Sequence, residues 1–199
     1  MTELAPQSST STSLIDRAKA ANPEAWERLA KLYGPLVYSW ARTAKLQPDD
    51  ASDIMQSVFH SLTKNIVQFQ RRTDGDSFRG WLYSITRNKI HDHFRRQQKQ
   101  GVAKGGTVAH LLMQELPENP EASGSASATF EINGLKARAL QLVQGEFEGR
   151  TWVAFWRTAV EGDTPADVAA DMGMSVWSVY KAKSRVLQRL REEFEELLS

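Results

Sequence analysis

Apolar residues recur at three- and four-residue spacings along most of this chain, and no stretch alternates as a half-buried strand would. The first stripe holds Trp26, Leu29, Leu32, Tyr33, Leu36, Val37 and Trp40, and predicts a helix to about Lys45. Asn22-Pro23-Glu24 supplies its start, with a cap, a proline at the first position and an acid in the first turn. A short helical lead-in over residues 14–21 precedes it. Gly34-Pro35, inside the stripe, is expected to bend or loosen it. Pro48-Asp49-Asp50 starts the next helix in the same way. Its Met55, Val58, Phe59, Leu62, Ile66 and Phe69 share one face, while Asp50, Asp53, Gln56, Ser57, His60 and Lys64 share the other. After the polar turn Arg71-Arg72-Thr73-Asp74-Gly75-Asp76, a third helix runs from Phe78 to about Gln98, capped by Asp76 or Ser77. Trp81, Leu82, Ile85, Ile90 and Phe94 can pack inward from it. Arg87, Asn88, His91, Arg95, Arg96 and Lys99 leave a long polar and basic surface.

The pattern then breaks. Residues 101–129 are dominated by Gly, Pro, Ser and Ala, which predicts a flexible linker carrying one apolar island at His110-Leu111-Leu112-Met113. Beyond it, Leu135, Ala139, Leu142, Val143 and Phe147 suggest a helix that ends near Gly149. Thr151 is placed to cap another, with Trp152, Val153, Phe155, Trp156 and Val160 as core candidates and Gly162 as its stop. The organisation expected is all-α: a disordered N-terminus over 1–13, a helical domain over 14–99, a flexible linker over 100–131, and a second small helical domain over 132–199 that ends in a helix-turn-helix.

Residues 164–190 carry that last motif. Thr164 caps a short helix with Pro165 at its first position, and Val168, Ala169 and Met172 fall on one face. Gly173 suits the left-handed residue that ends it, and Ser175 caps a second helix from Val176. Two helices joined by a short glycine-containing turn place the second in a DNA major groove. At 100° per residue, Ala182, Val186 and Leu190 line up with Val179 toward the first helix. Trp177, Lys181, Ser184, Arg185 and Gln188 fall on the opposite side. A basic row is often only a solvated face; the glycine turn before this one favours DNA.

Charge supports this reading locally, not globally. The net charge is only +1, yet residues 79–104 hold seven Lys or Arg against the single acid Asp92, and the C-terminus is acidic. No cysteine is present, which removes disulfides, thiolate catalysis and cysteine-based zinc sites, and fits a reducing cytoplasm. The N-terminus lacks the basic-then-apolar pattern of a secretory signal, and no apolar run approaches the ~18 residues that span a bilayer. A soluble cytoplasmic chain with no membrane insertion is expected.

Catalysis finds no support. His91 and His93 point about 200° apart on a helix, the wrong geometry for one metal. Asp49, Asp50 and Asp53 suit a helix start stabilised by the dipole. The Gly101–Gly106 stretch lacks the strand and helix of a phosphate loop. No enzyme, cofactor or metal is expected.

Two stretches together carry a resemblance. The D-x-x-Q-x-V-F run at residues 53–59 and the F-R-x-W-L-Y-x-I-x-R-N run at residues 78–88 closely resemble the second conserved region of bacterial sigma factors. The helix-turn-helix and its preceding helices resemble the fourth. With a linker between, the chain resembles an extracytoplasmic-function sigma factor of the sigma-70 family. The resemblance implies a specificity subunit that binds core RNA polymerase and promoter DNA, with an anti-sigma factor as the usual further partner. It implies that Asp50, Asp53, Gln56 and His60 meet the clamp helices of the polymerase largest subunit. It assigns Arg72, Ser77, Arg79, Arg87, Asn88, His91, Arg95 and Arg96 to the minus-ten element, where a flipped base needs polar groups and phosphates need cations. Trp81 favours core over base stacking, given Leu82 and Ile85 beside it. Ser175, Trp177, Ser178, Lys181, Ser184 and Arg185 fall to the minus-thirty-five element, Arg185 aligning with a base-contacting arginine. The linker would thread through polymerase near the RNA exit path.

Departures occur at Tyr180 and Ala182, where the family usually has basic residues, and at Lys183, where it has leucine or isoleucine. At about 40° on the helical wheel, the Lys183 stem can snorkel past the core edge. The competing class is an ordinary helix-turn-helix regulator with an N-terminal partner-binding domain. Such a domain has no need of the two runs in the first half. A nuclease would need a metal cluster that the sequence does not supply.

Overall fold

A computed structural model describes residues 13–70, 77–99 and 126–198, and these are helical with no strand among them. The helices are α1 (Leu14–Lys19), α2 (Pro23–Thr43), α3 (Pro48–Asn65), α4 (Phe78–Lys99), α5 (Ala126–Gln144), α6 (Gly149–Trp156), α7 (Pro165–Met172) and α8 (Val176–Leu198). A 3₁₀ turn at Ile66–Gln68 follows α3, and a π turn at Arg157–Glu161 follows α6. The expected N-terminal disorder (up to residue 12), the 71–76 turn with Arg72, and the linker with its apolar island lie outside the described residues.

Local chemistry sets most boundaries where the sequence placed them. The Asn22 side chain accepts from the Ala25 amide and starts α2 at Pro23. Ser77 Oγ accepts from the Gly80 amide at 2.9 Å and opens α4. α2 continues through Gly34-Pro35: Leu32, Tyr33, Leu36 and Val37 on either side of the pair are buried, and that packing holds the helix where a carbonyl is left without its donor. Gly34 is itself buried, and a Cβ there would meet Met55 Sδ of α3 at 3.6 Å. That is ordinary van der Waals contact, so the approach of α2 and α3 leaves room for an alanine there.

Three boundaries differ from expectation. α3 gives way to 3₁₀ geometry at Ile66 although its apolar stripe continues to Phe69. α6 begins at Gly149 with Glu148 in the cap position, not at a Thr151 cap. α5 begins at Ala126, inside the stretch whose Ser, Ala and Gly content suggested linker. Alanines favour the helix, and its far side is secured by Leu135, Ala139 and Val143, all buried.

In the first half, α2, α3 and α4 pack on one another around Leu29, Leu32, Val58, Leu62, Phe78 and Leu82. Tyr33 and Phe69 meet Phe78 edge-on, with ring centroids 5.1 and 5.2 Å apart. In the second half, α6, α7 and α8 enclose two smaller clusters. Val168, Ala169, Val179 and Ala182 form one, and Trp152, Phe155 and Val186 the other. Burying each such Val, Leu or Phe stabilises by roughly 1.5–3 kcal/mol.

The halves also touch. α5 lies on α2, and the end of α8 reaches α1 and α4. Leu135, Ala139, Val143 and Phe194 from the second half enter the same apolar cluster as α1–α4. Arg138 Nε donates to the Leu32 carbonyl at 2.7 Å across this contact.

Candidate functional site

The helix-turn-helix is built by its caps. Thr164 Oγ1 accepts from the Asp167 amide and donates to the Asp167 carboxylate, which starts α7. Gly173 takes φ +59° at the end of α7, and the Met174 amide returns to the Ala169 carbonyl at 2.9 Å. Ser175 Oγ accepts from the Ser178 amide at 3.1 Å and opens α8, with the two hydroxyls 2.8 Å apart. The two serines therefore serve the cap. Arg157, at the π turn, grips Asp163 and Asp171 and ties that turn to α7.

This framework turns Val179, Ala182 and Val186 inward and leaves Trp177, Lys181, Ser184 and Arg185 exposed. Trp177 is 68% exposed, and Lys181 Nζ sits 4.9 Å from its ring centroid. The indole thus holds the ammonium over its face. Tyr180, 57% exposed, adds an aromatic edge beside this row. Lys183 leans the other way: its stem crosses the core edge and Nζ donates to the Thr158 carbonyl in the π turn at 3.3 Å. A lysine at a usually apolar position here binds a carbonyl of the neighbouring turn.

On the first half, α3 and α4 frame a groove of about 280 Å³. Asp53, Gln56 and Ser57 line it from α3, and Lys89, His93 and Arg96 from α4. Asp53, Gln56 and His60 are exposed. Asp50 is half-buried, 3.8 Å from His93 Nε2. Residues that the sequence divided between two binding faces, Asp53 and Gln56 against Arg96, therefore share one opening. Lys89 and His93 belong to it too. Neither was among the expected binding residues, because their own helix gives no sign of which acids lie across from them.

Along α4, Asn88, Arg95 and Arg96 are exposed, and Ser77, Arg87 and His91 are half-buried. Burial, and then the neighbouring Arg87, hold the His91 imidazole below its ordinary value against the weaker pull of Asp92. In the protein alone this favours the neutral imidazole. Arg79 departs from its expected role. It is only 4% exposed and paired with Glu131 of α5. The guanidinium expected at DNA is spent inside the protein, because α5 brings a carboxylate over the start of α4. Among the described residues no cluster of His, Asp or Glu is arranged to hold a metal ion. No described helix is long and apolar enough to cross a membrane.

The α2–α4 body coincides with a family match: residues 29–100 fit Sigma-70 region 2. The extracytoplasmic-function RNA polymerase sigma factor SigE of Mycolicibacterium smegmatis is 25% identical over 192 residues, 92% of this chain and 67% of SigE. The chain thus carries a Sigma-70 region 2 over residues 29–100 and is similar along most of its length to an extracytoplasmic-function sigma factor. BldN, a sigma factor of the same branch from Streptomyces coelicolor, is 28% identical over 110 residues, 55% of this chain and 40% of BldN. A probable RNA polymerase sigma factor of Haemophilus influenzae is 37% identical over 51 residues, 26% of this chain and 25% of that protein. Among solved structures, CnrH in complex with the cytosolic domain of CnrY matches at 20% identity over 89% of this chain and 92% of that one, with a TM-score of 0.35. The region 2 match takes in the α3–α4 groove and the whole basic surface of α4. The helix-turn-helix lies beyond that match and rests on its own caps and exposed row.

Proposed function

We propose that this sigma factor binds core RNA polymerase through the exposed polar face of α3 and directs transcription initiation at a two-part promoter. In this reading α4 engages the minus-ten element and the first turns of α8 read the minus-thirty-five element. The observation that carries it is the coexistence of two separate grips. One is the groove with Asp53, Gln56 and Arg96; the other is the exposed row Trp177, Lys181, Ser184 and Arg185. An ordinary regulator needs only the second. Acids on α3 suit a basic partner surface, while Asn88, Arg95 and Arg96 offer polar groups and cations to an unpaired strand. Arg79 is outside this set while Glu131 holds it. The chain's role is specificity, with polymerase supplying the chemistry, and it belongs where core enzyme and DNA are, in the cytoplasm.

Run-off transcription with purified bacterial core polymerase, on promoters selected from a genomic library, tests the reading. Core enzyme plus this protein initiates at discrete sites; binding of duplex DNA with no initiation would refute the proposal. Asp53→Arg is expected to abolish capture of core enzyme in a pull-down while leaving helicity unchanged. Undiminished capture would remove α3 from the polymerase face. Arg185→Ala is expected to cost about 1–3 kcal/mol at one base pair of the upstream element and to relax selection there. An unchanged selection profile would take Arg185 out of base reading.

A further inference from the structure

The outward face of α8 begins with more apolar surface than a solvated helix needs. Val176 is 43% exposed and joins Trp177 and Tyr180, so three large apolar side chains reach the surface within five residues. With Trp177 at zero and 100° per residue, Tyr180 falls about 60° to one side and Val176 about 100° to the same side. Lys181 falls about 40° to the other side, and its Nζ stands 4.9 Å from the indole centroid. A cation thus engages one face of the indole, and the rest of the ring stays open. The patch is also rigidly presented. Ser175 caps the helix beneath it, Val179 and Ala182 are buried on the reverse side, and Lys183 Nζ holds the Thr158 carbonyl. Contiguous apolar surface that packing does not require marks a contact.

We propose that Trp177 reads the 5-methyl group of a thymine in the upstream promoter element, about three to four base pairs from the base that Arg185 contacts. The inference rests on the minus-thirty-five reading of α8 given above. In the major groove thymine alone carries a methyl group, and an apolar side chain is what recognises it. The indole has one N–H donor and no acceptor. Three of the four bases present an acceptor in that groove, so hydrogen bonding by this donor would single out none of them. Its apolar body is large by comparison. Position agrees. The first residues of a recognition helix meet base edges, and Trp177 is the second residue of α8. Trp177, Lys181, Ser184 and Arg185 follow one stripe at i, i+4, i+7 and i+8. Eight residues at about 1.5 Å span about 12 Å, or three to four base pairs at about 3.4 Å each. Charge completes the fit. Lys181 and Arg185 are exposed and have no ion-pair partner among the described residues, so cations that suit a polyanion flank the indole. In this arrangement Lys181 attracts phosphate and the ring reads the base.

Deoxyuridine tests this directly, because it differs from thymidine in the base only by the missing methyl. Holoenzyme made from the full chain and core polymerase is titrated on a selected promoter whose upstream thymines are replaced one at a time. One replacement, at the stated distance from the position that Arg185→Ala relaxes, weakens binding about fourfold, the size expected for one buried methyl group. The others leave it unchanged. Trp177→Ala no longer distinguishes thymine from deoxyuridine at that position, and Trp177→Phe, still aromatic, keeps part of the difference. Lys181→Met keeps the whole difference while the salt dependence of binding falls by about one phosphate contact. Both side chains are exposed, and circular dichroism checks that each variant is folded. Loss of the thymine difference in Lys181→Met would mean that the ring acts only by holding the ammonium, and overturns the methyl reading. So does a Trp177→Ala variant that still distinguishes the two bases, or a parent that distinguishes them at no position. If Trp177→Ala instead lowers capture of core enzyme and leaves the thymine difference intact, the patch faces a protein and the proposal fails. Failure of the parent to initiate with core enzyme overturns the sigma-factor reading instead. The same replacements in duplex DNA selected with the full chain alone then decide whether Trp177 reads a methyl, and a chain that selects no DNA overturns both.

Discussion

Phe78→Ala is expected to destabilise the protein by about 3–5 kcal/mol, the usual cost of emptying a buried phenylalanine site. Phe78 is fully buried at the first position of α4, with Tyr33 and Phe69 edge-on and Trp81 at 5.8 Å. Tyr33 on α2, Phe69 after the 3₁₀ turn and Trp81 on the next turn of α4 are each held by their own backbone, so no single neighbour fills the space. Against a typical total stability of about 5–15 kcal/mol the loss is large. Urea denaturation followed by circular dichroism measures it, and a change under about 1 kcal/mol would mean that the aromatic cluster is not packed as described. Function follows position. Phe78 fixes where α4 starts, so partial loosening should weaken minus-ten recognition before it touches upstream binding.

Val186→Asp is expected to have the second large effect, confined to the other grip. Val186 is fully buried against Trp152 and Phe155 where α8 crosses α6. A carboxylate there has no cation within the cluster, and an unpaired buried charge costs several kcal/mol. The helix-turn-helix should lose its footprint on the minus-thirty-five element, while core polymerase is still captured through α3. Footprinting and pull-down on the same preparation check the two halves of this expectation. A retained upstream footprint would show that α8 does not depend on α6 for its position.

These two sites also show what the sequence made legible. Val186 is a periodic apolar residue that periodicity alone assigned inward, whereas Phe78 was legible only as the start of its helix. The caps at Asn22, Thr164 and Ser175 and the left-handed Gly173 were equally readable, because each works within four residues of itself. Arg79 was misplaced for the opposite reason. Its partner Glu131 is 52 residues away, and nothing local distinguishes a guanidinium that meets DNA from one that meets a carboxylate. Lys183 was legible only in part: the wheel put it at the core edge, but the Thr158 carbonyl it finds depends on a π turn that leaves no clear mark in composition. Glu193 did leave a signal. On the same wheel it falls about 40° from Val179, an acid on an apolar stripe. Such a residue asks for a buried partner, and Arg28 answers from 165 positions away.

α8 is unbroken from Val176 to Leu198. Arg185 and Glu193 therefore ride on one rod about 12 Å apart, at about 1.5 Å per residue. No relay of side chains is needed to carry news between them, since moving one end moves the other. The row that begins the helix therefore shares its orientation with an end packed against α1 and α4, and the two cannot be positioned independently.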